Sequence, residues 1–75
     1  MVLSFVLINT EPGAREEVLR SLKRRSAVKE ARPMVGMHDI IAKIETDTPE
    51  EAGAMLSREL AGHHRVRLAE MTAIY

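Results

Sequence analysis

The spacing of apolar residues changes period several times along this chain, and two stretches are apolar on both parities. Residues 2–8 read Val-Leu-Ser-Phe-Val-Leu-Ile, and residues 39–44 read Asp-Ile-Ile-Ala-Lys-Ile. A strand with one wet face alternates apolar and polar, so near-continuous runs such as Phe5 to Ile8 imply that both faces are covered. Elsewhere the spacing is helical. Ala14, Val18, Leu19 and Leu22 form one stripe, predicting a helix over residues 14–25. Glu16 and Glu17 come early in it and Lys23, Arg24 and Arg25 late, as the helix dipole favours. A second stripe, Ala52, Met55, Leu56 and Leu60, predicts a helix running to about residue 61. Thr48 suits its N-cap, Pro49 its first position and Glu51 a capping box, with Gly62 placed to end it.

Between these lie four predicted strands. The first covers residues 2–9 and ends at Thr10-Glu11-Pro12-Gly13, where Pro then Gly suits the centre of a type II turn. A weaker second strand, residues 28–35, contains Pro33, which cannot donate to a ladder and so marks an edge or a bulge. The third, residues 38–46, follows it across Gly36-Met37, a link short enough to demand an antiparallel hairpin. The last covers residues 66–75. This element order predicts an α+β, ferredoxin-like βαββαβ fold: a four-stranded antiparallel sheet with both helices on one face and right-handed crossovers giving the spatial order 4-1-3-2. The whole chain is one domain, residues 1–75.

Two helices shield only one side of such a sheet. On the third strand Ile40, Ala42 and Ile44 share one face and are assigned to the helices, whereas Asp39, Ile41, Lys43 and Glu45 share the other. On the first strand Leu3, Phe5 and Leu7 point one way and Val2, Val6 and Ile8 the other, and both sets are apolar. An apolar outer face marks an interaction surface. Self-association is therefore expected, two sheets pairing as a dimeric αβ sandwich or barrel. Size points the same way, because 75 residues without cysteine bury a marginal core and have neither disulfides nor a thiolate zinc site to reinforce it.

Charge and composition narrow the chemistry. Eleven basic residues balance 11 acidic ones, where a nucleic-acid binder shows a basic excess on one face. Direct nucleic-acid binding is not expected. No apolar stretch approaches the roughly 20 residues that span a bilayer, and the N-terminus has no basic flank of a signal peptide, so a cytoplasmic protein without membrane contact is expected. His63 and His64 lack a Cys or a third clustered His and read as a solvated connection rather than a metal site. His38 and Asp39, as strand neighbours, point to opposite faces and cannot form a dyad. The serines stand in no nucleophile context, and the four glycines form no phosphate loop. No catalytic residue, metal or cofactor is expected. The segment Gly36-Met37-His38-Asp39 reads first as a turn. It can also let a ligand approach main-chain atoms, with Asp39 on the outer face as an acceptor for an ammonium group at a subunit junction and Thr72 offering a hydroxyl to a carboxylate.

Residues 4–13, Ser-Phe-Val-Leu-Ile-Asn-Thr-Glu-Pro-Gly, followed by residues 36–45, Gly-Met-His-Asp-Ile-Ile-Ala-Lys-Ile-Glu, resemble the effector-binding (RAM-type) module of the Lrp/AsnC transcriptional regulators. The resemblance covers essentially the whole chain. Its strongest motif is the glycine two residues before an aromatic-Asp pair, with His38 where an aromatic such as Tyr usually stands. Because the first strand begins at the second residue, the chain is similar to stand-alone members without a helix-turn-helix domain. The resemblance implies a non-catalytic regulatory module, a dimer assembling further into octamer or decamer rings, small effectors, typically amino acids, bound between dimers, and possible mixing with full-length regulators. It implies effector-binding roles for Gly36, His38, Asp39 and Thr72. Family members often carry two threonines two apart, and Glu70 stands where the first would be. A carboxylate there repels an amino acid's own carboxylate and favours a cationic side chain or an empty pocket. Two other readings fit the same pattern: a small dimeric αβ-barrel enzyme, and a ligand-free assembly subunit.

Overall fold

The computed structural model describes residues 1–74, with side chains described as far as Thr72. Strand β1 (Val2–Thr10) leads through the Pro12-Gly13 turn into helix α1 (Arg15–Lys23). Strands β2 (Val28–Pro33) and β3 (Ile40–Thr46) follow, then helix α2 (Pro49–Met55), a π-helical continuation over Leu56–Leu60, and strand β4 (Val66–Ile74). The strands form one antiparallel sheet in the order β2-β3-β1-β4, as the ferredoxin-like reading requires.

Local chemistry explains the element ends. Gly13 takes φ +79, the left-handed value that the third residue of a type II turn needs, and the Ala14 N–H closes the turn on the Glu11 carbonyl at 3.0 Å. Thr48 is extended (φ −135, ψ 157), and its Oγ1 accepts from the Glu51 N–H at 3.1 Å, so the predicted cap is formed. The second helix widens in its last turn, where the Ala61 N–H reaches back five residues to the Leu56 carbonyl at 2.8 Å. Gly62 follows, but not as a left-handed terminator. A Cβ on it would sit 2.4 Å from the Arg58 carbonyl oxygen, so it is glycine because the backbone passes too close for a side chain.

The strand limits around the β2–β3 connection differ from the sequence expectation. β2 stops at Pro33 rather than continuing to residue 35, and β3 begins at Ile40 rather than His38. Pro33 has no N–H to extend the ladder. One further bond, from the Met34 N–H to the Asp39 carbonyl at 2.7 Å, closes a wider loop than the two-residue hairpin expected, with Gly36 at φ +116 near its tip. Helix α1 is likewise shorter at both ends than residues 14–25, with Ala14 and Arg24 as its caps.

The pleat sorts the faces. Val6, Ile8, Ile40, Ala42 and Ile44 are fully buried against Val18, Leu19 and Leu22 of α1 and Ala52, Met55 and Leu60 from the second helical region, and Ala31 of β2 joins them. Their registers, Val6 opposite Ala42 and Ile8 opposite Ile40, put all the strand members on the helix side. Ser4 shares that face. Its buried hydroxyl has no hydrogen-bond partner. The other face carries Leu3, Phe5, Leu7 and Ile41, all partly accessible, with Lys43 and Glu45 beside them. Against a shallow depression lined by Phe5, Ile41, Glu30, Arg32 and Lys43, the Glu30 carboxylate meets the Arg32 guanidinium, with Lys43 Nζ at 3.9 Å. The hydrogen bond and charge of Arg32, with help from Lys43, hold Glu30 below the usual carboxylate range.

Candidate functional site

The β2–β3 loop lies against the end of β1 and against β4, and it is held there by two side-chain systems that diverge from adjacent residues. The first runs across the outer face. Asn9, which ends the outward row after Leu3, Phe5 and Leu7, donates through Nδ2 to the Met37 carbonyl at 2.7 Å. That bond fixes the amide orientation, so Asn9 Oδ1 is the acceptor facing His38 Nδ1 at 2.6 Å. His38 must then carry its proton on Nδ1 when neutral. Its other nitrogen, Nε2, presents a lone pair 3.8 Å from Glu70 Oε1. Glu70 stands opposite Leu7 in the β1–β4 register, and its side chain remains 53% exposed.

The second system turns the other way. Asp39 Oδ2 accepts from the Thr10 N–H at 2.8 Å and from the Thr10 hydroxyl at 3.3 Å, while the Asp39 N–H donates to the Ile8 carbonyl at 2.9 Å. Thr10 is buried and belongs to the inward parity of β1. The Asp39 carboxylate therefore replaces a ladder partner at the strand end and lies beside a depression lined by Thr10, Glu11, Pro12, Gly13, Arg15 and Glu16. This corrects the expectation of an outward-facing Asp39 free to meet an ammonium group. His38 and Asp39 form no dyad, since each is bonded to a different residue of β1.

Of the four expected site residues, Gly36, His38 and Asp39 share this loop, and Thr72 stands apart. Thr72 is exposed on β4 at a register irregularity, between Met71 opposite Val6 and Ala73 opposite Phe5. Glu70, two residues earlier, is the β4 side chain that faces His38. Asn9 was not singled out from sequence. The signal was a polar residue closing an otherwise apolar outward row. The tip of the loop also exposes two large apolar side chains, Val35 at 98% and Met37 at 87%.

Away from this region, the His63 and His64 rings stack at 4.9 Å with an 11° interplanar angle, and His64 Nε2 and Arg65 Nε each lie 3.7 Å from Glu17 of α1. Burial and then the neighbouring His64 charge hold His63 below the ordinary histidine value, with Glu17 pulling the other way. Among the described residues no group of three or more His, Cys, Asp or Glu side chains is arranged to hold a metal ion. Among the described residues no helix is long and apolar enough to cross a membrane.

No protein-family model matches the chain, and no curated protein does. Solved structures do. FFRP-DM1 superposes with a TM-score of 0.94 at 29% identity, with 100% of this chain and 99% of that one covered. Escherichia coli AsnC gives 0.88 at 19% identity over 99% of this chain. The chain has the fold of the Lrp/AsnC module. A transcriptional regulator from Neisseria meningitidis, solved in complex with L-Met, matches with a TM-score of 0.86 at 18% identity over 95% of this chain. The chain spans about half of each of these two proteins, 50% of AsnC and 47% of the Neisseria regulator. FFRP-DM1 it matches end to end.

Proposed function

We propose that this chain is a non-catalytic regulatory module that binds an amino acid or a related small effector at an interface between its own copies, and so modulates transcriptional regulation. The observation that carries the reading is the polar cluster of Asn9, His38 and Glu70 at the border of an apolar sheet face, on a fold shared with a regulator solved with L-Met. The outer face of Leu3, Phe5, Leu7 and Ile41 is covered by the sheet of a second copy, and dimers assemble further into rings of eight or ten. Full-length Lrp/AsnC regulators are further partners. Gly36, His38, Asp39 and Thr72 border the effector, with Asp39 acting through its hold on the loop rather than as a free acceptor. An effector at such a junction shifts assembly only as far as its affinity differs between the states.

A panel of amino acids at millimolar concentration, read by sedimentation velocity and by thermal midpoint, tests this. Binding at 100 times Kd stabilises the folded state by about 2.7 kcal/mol, which is several degrees in a domain of this size. At least one amino acid is expected to move the midpoint or the sedimentation profile. A full panel that moves neither removes the sensing function.

A further inference from the structure

Two side chains of the proposed effector site, His38 and Glu70, lie against each other, with Nε2 and Oε1 3.8 Å apart. His38 Nδ1 is committed as a donor to Asn9 Oδ1, because the Asn9 amide nitrogen is itself committed to the Met37 carbonyl. A neutral His38 therefore offers an acceptor lone pair on Nε2, and the group it faces, the Glu70 carboxylate, is also an acceptor. Two acceptors 3.8 Å apart cannot bond to one another. They can both accept from one nitrogen that carries several N–H groups and a positive charge. Glu70 is half-exposed and His38 largely covered, so the pair is accessible through Glu70 while its histidine is fixed by Asn9. The surroundings suit an alkyl chain: Leu7 is opposite Glu70, and Leu68, exposed, lies opposite Asn9.

Resting on the regulatory reading above, we infer that the effector is an amino acid with a cationic side chain, such as lysine or arginine, whose ammonium or guanidinium group bridges His38 Nε2 and the Glu70 carboxylate. An effector with an acidic side chain meets repulsion at the same place, and one with a purely aliphatic side chain leaves both acceptors without a donor.

Isothermal titration calorimetry at pH ~8 compares L-lysine with L-norleucine, which keeps the carbon chain and lacks the ammonium group. L-lysine is expected to bind about fivefold more tightly, the upper end of what one exposed ion pair contributes. In Glu70→Gln the preference for lysine over norleucine is expected to collapse to within about twofold. The wild-type ratio decides alone should that variant fail to fold. Norleucine binding as tightly as lysine, or a lysine preference that survives Glu70→Gln, overturns the cationic assignment and leaves the regulatory reading intact. Failure of every amino acid to bind overturns both.

Discussion

Replacing Asp39 by alanine separates a structural role from a ligand-contact role, because the structure gives its carboxylate a definite internal task. Asp39 Oδ2 is the acceptor for both the backbone N–H and the hydroxyl of Thr10, and Thr10 is buried at the end of the strand that carries the outward row. Asp39→Ala leaves the Thr10 N–H buried without its partner. A buried donor stranded in this way costs roughly 1–3 kcal/mol, and the 3.3 Å hydroxyl bond is too long to add much. A loss of about 2 kcal/mol corresponds to a midpoint lowered by roughly 8–16 °C, since each kcal/mol is worth about 4–8 °C in domains of 60–100 residues. Asp39→Asn keeps an oxygen acceptor without the charge and is expected to fall between the two. Thermal unfolding followed by far-ultraviolet circular dichroism measures this, at matched protein concentrations because assembly makes the midpoint concentration-dependent. An alanine variant within about 2 °C of wild type would refute the claim that Asp39 holds the strand end. In that case its carboxylate is available to an effector after all.

Other outcomes follow from the same contacts. Gly62→Ala forces a Cβ to 2.4 Å from the Arg58 carbonyl oxygen and is expected to destabilise by about 1–3 kcal/mol, read by chemical denaturation; an unchanged midpoint contradicts the close approach. His63 is held below its ordinary value of 6.5, so the folded state prefers it neutral. The associated stability is fully present above pH 6.5 and is lost as the pH falls below that value toward the lower folded one. The difference in midpoint between wild type and His63→Gln is therefore expected to move against wild type on acidification from pH ~7.5 to ~5.5, and a constant difference contradicts the burial of that ring. The lysine preference over norleucine at Glu70 is a fourth test, independent of stability.

Much of the fold was legible because the apolar pattern states it redundantly. Ala14, Val18, Leu19 and Leu22 mark a helical stripe, and all four are buried. Ile40, Ala42 and Ile44 mark one face of β3 and are buried as a set, while Ile41 and Lys43 face outward. Parity alone did not decide which face of β1 turns inward, since both rows are apolar; pairing with β3 decides it by placing Val6 and Ile8 beside Ala42 and Ile40. The loop from Met34 to Asp39 was less legible. Its width depends on where Pro33 ends one ladder and on a single backbone bond between Met34 and Asp39, and neither has a periodic signature. The candidate site was half legible for the same reason. Gly36, His38 and Asp39 stand together in sequence, but the direction of the Asp39 carboxylate depends on Thr10, 29 residues away. Glu70 was singled out as an anomaly, and only the fold brings it to His38.

The account rests on the outward row of Leu3, Phe5, Leu7 and Ile41 meeting a second copy of the chain. Native mass measurement by sedimentation equilibrium or native mass spectrometry at micromolar concentration tests this most directly. The predicted result is an even multiple of the 8.4 kDa protomer, a dimer or a ring built from dimers. Compact, folded particles of 8.4 kDa as the sole species would contradict it.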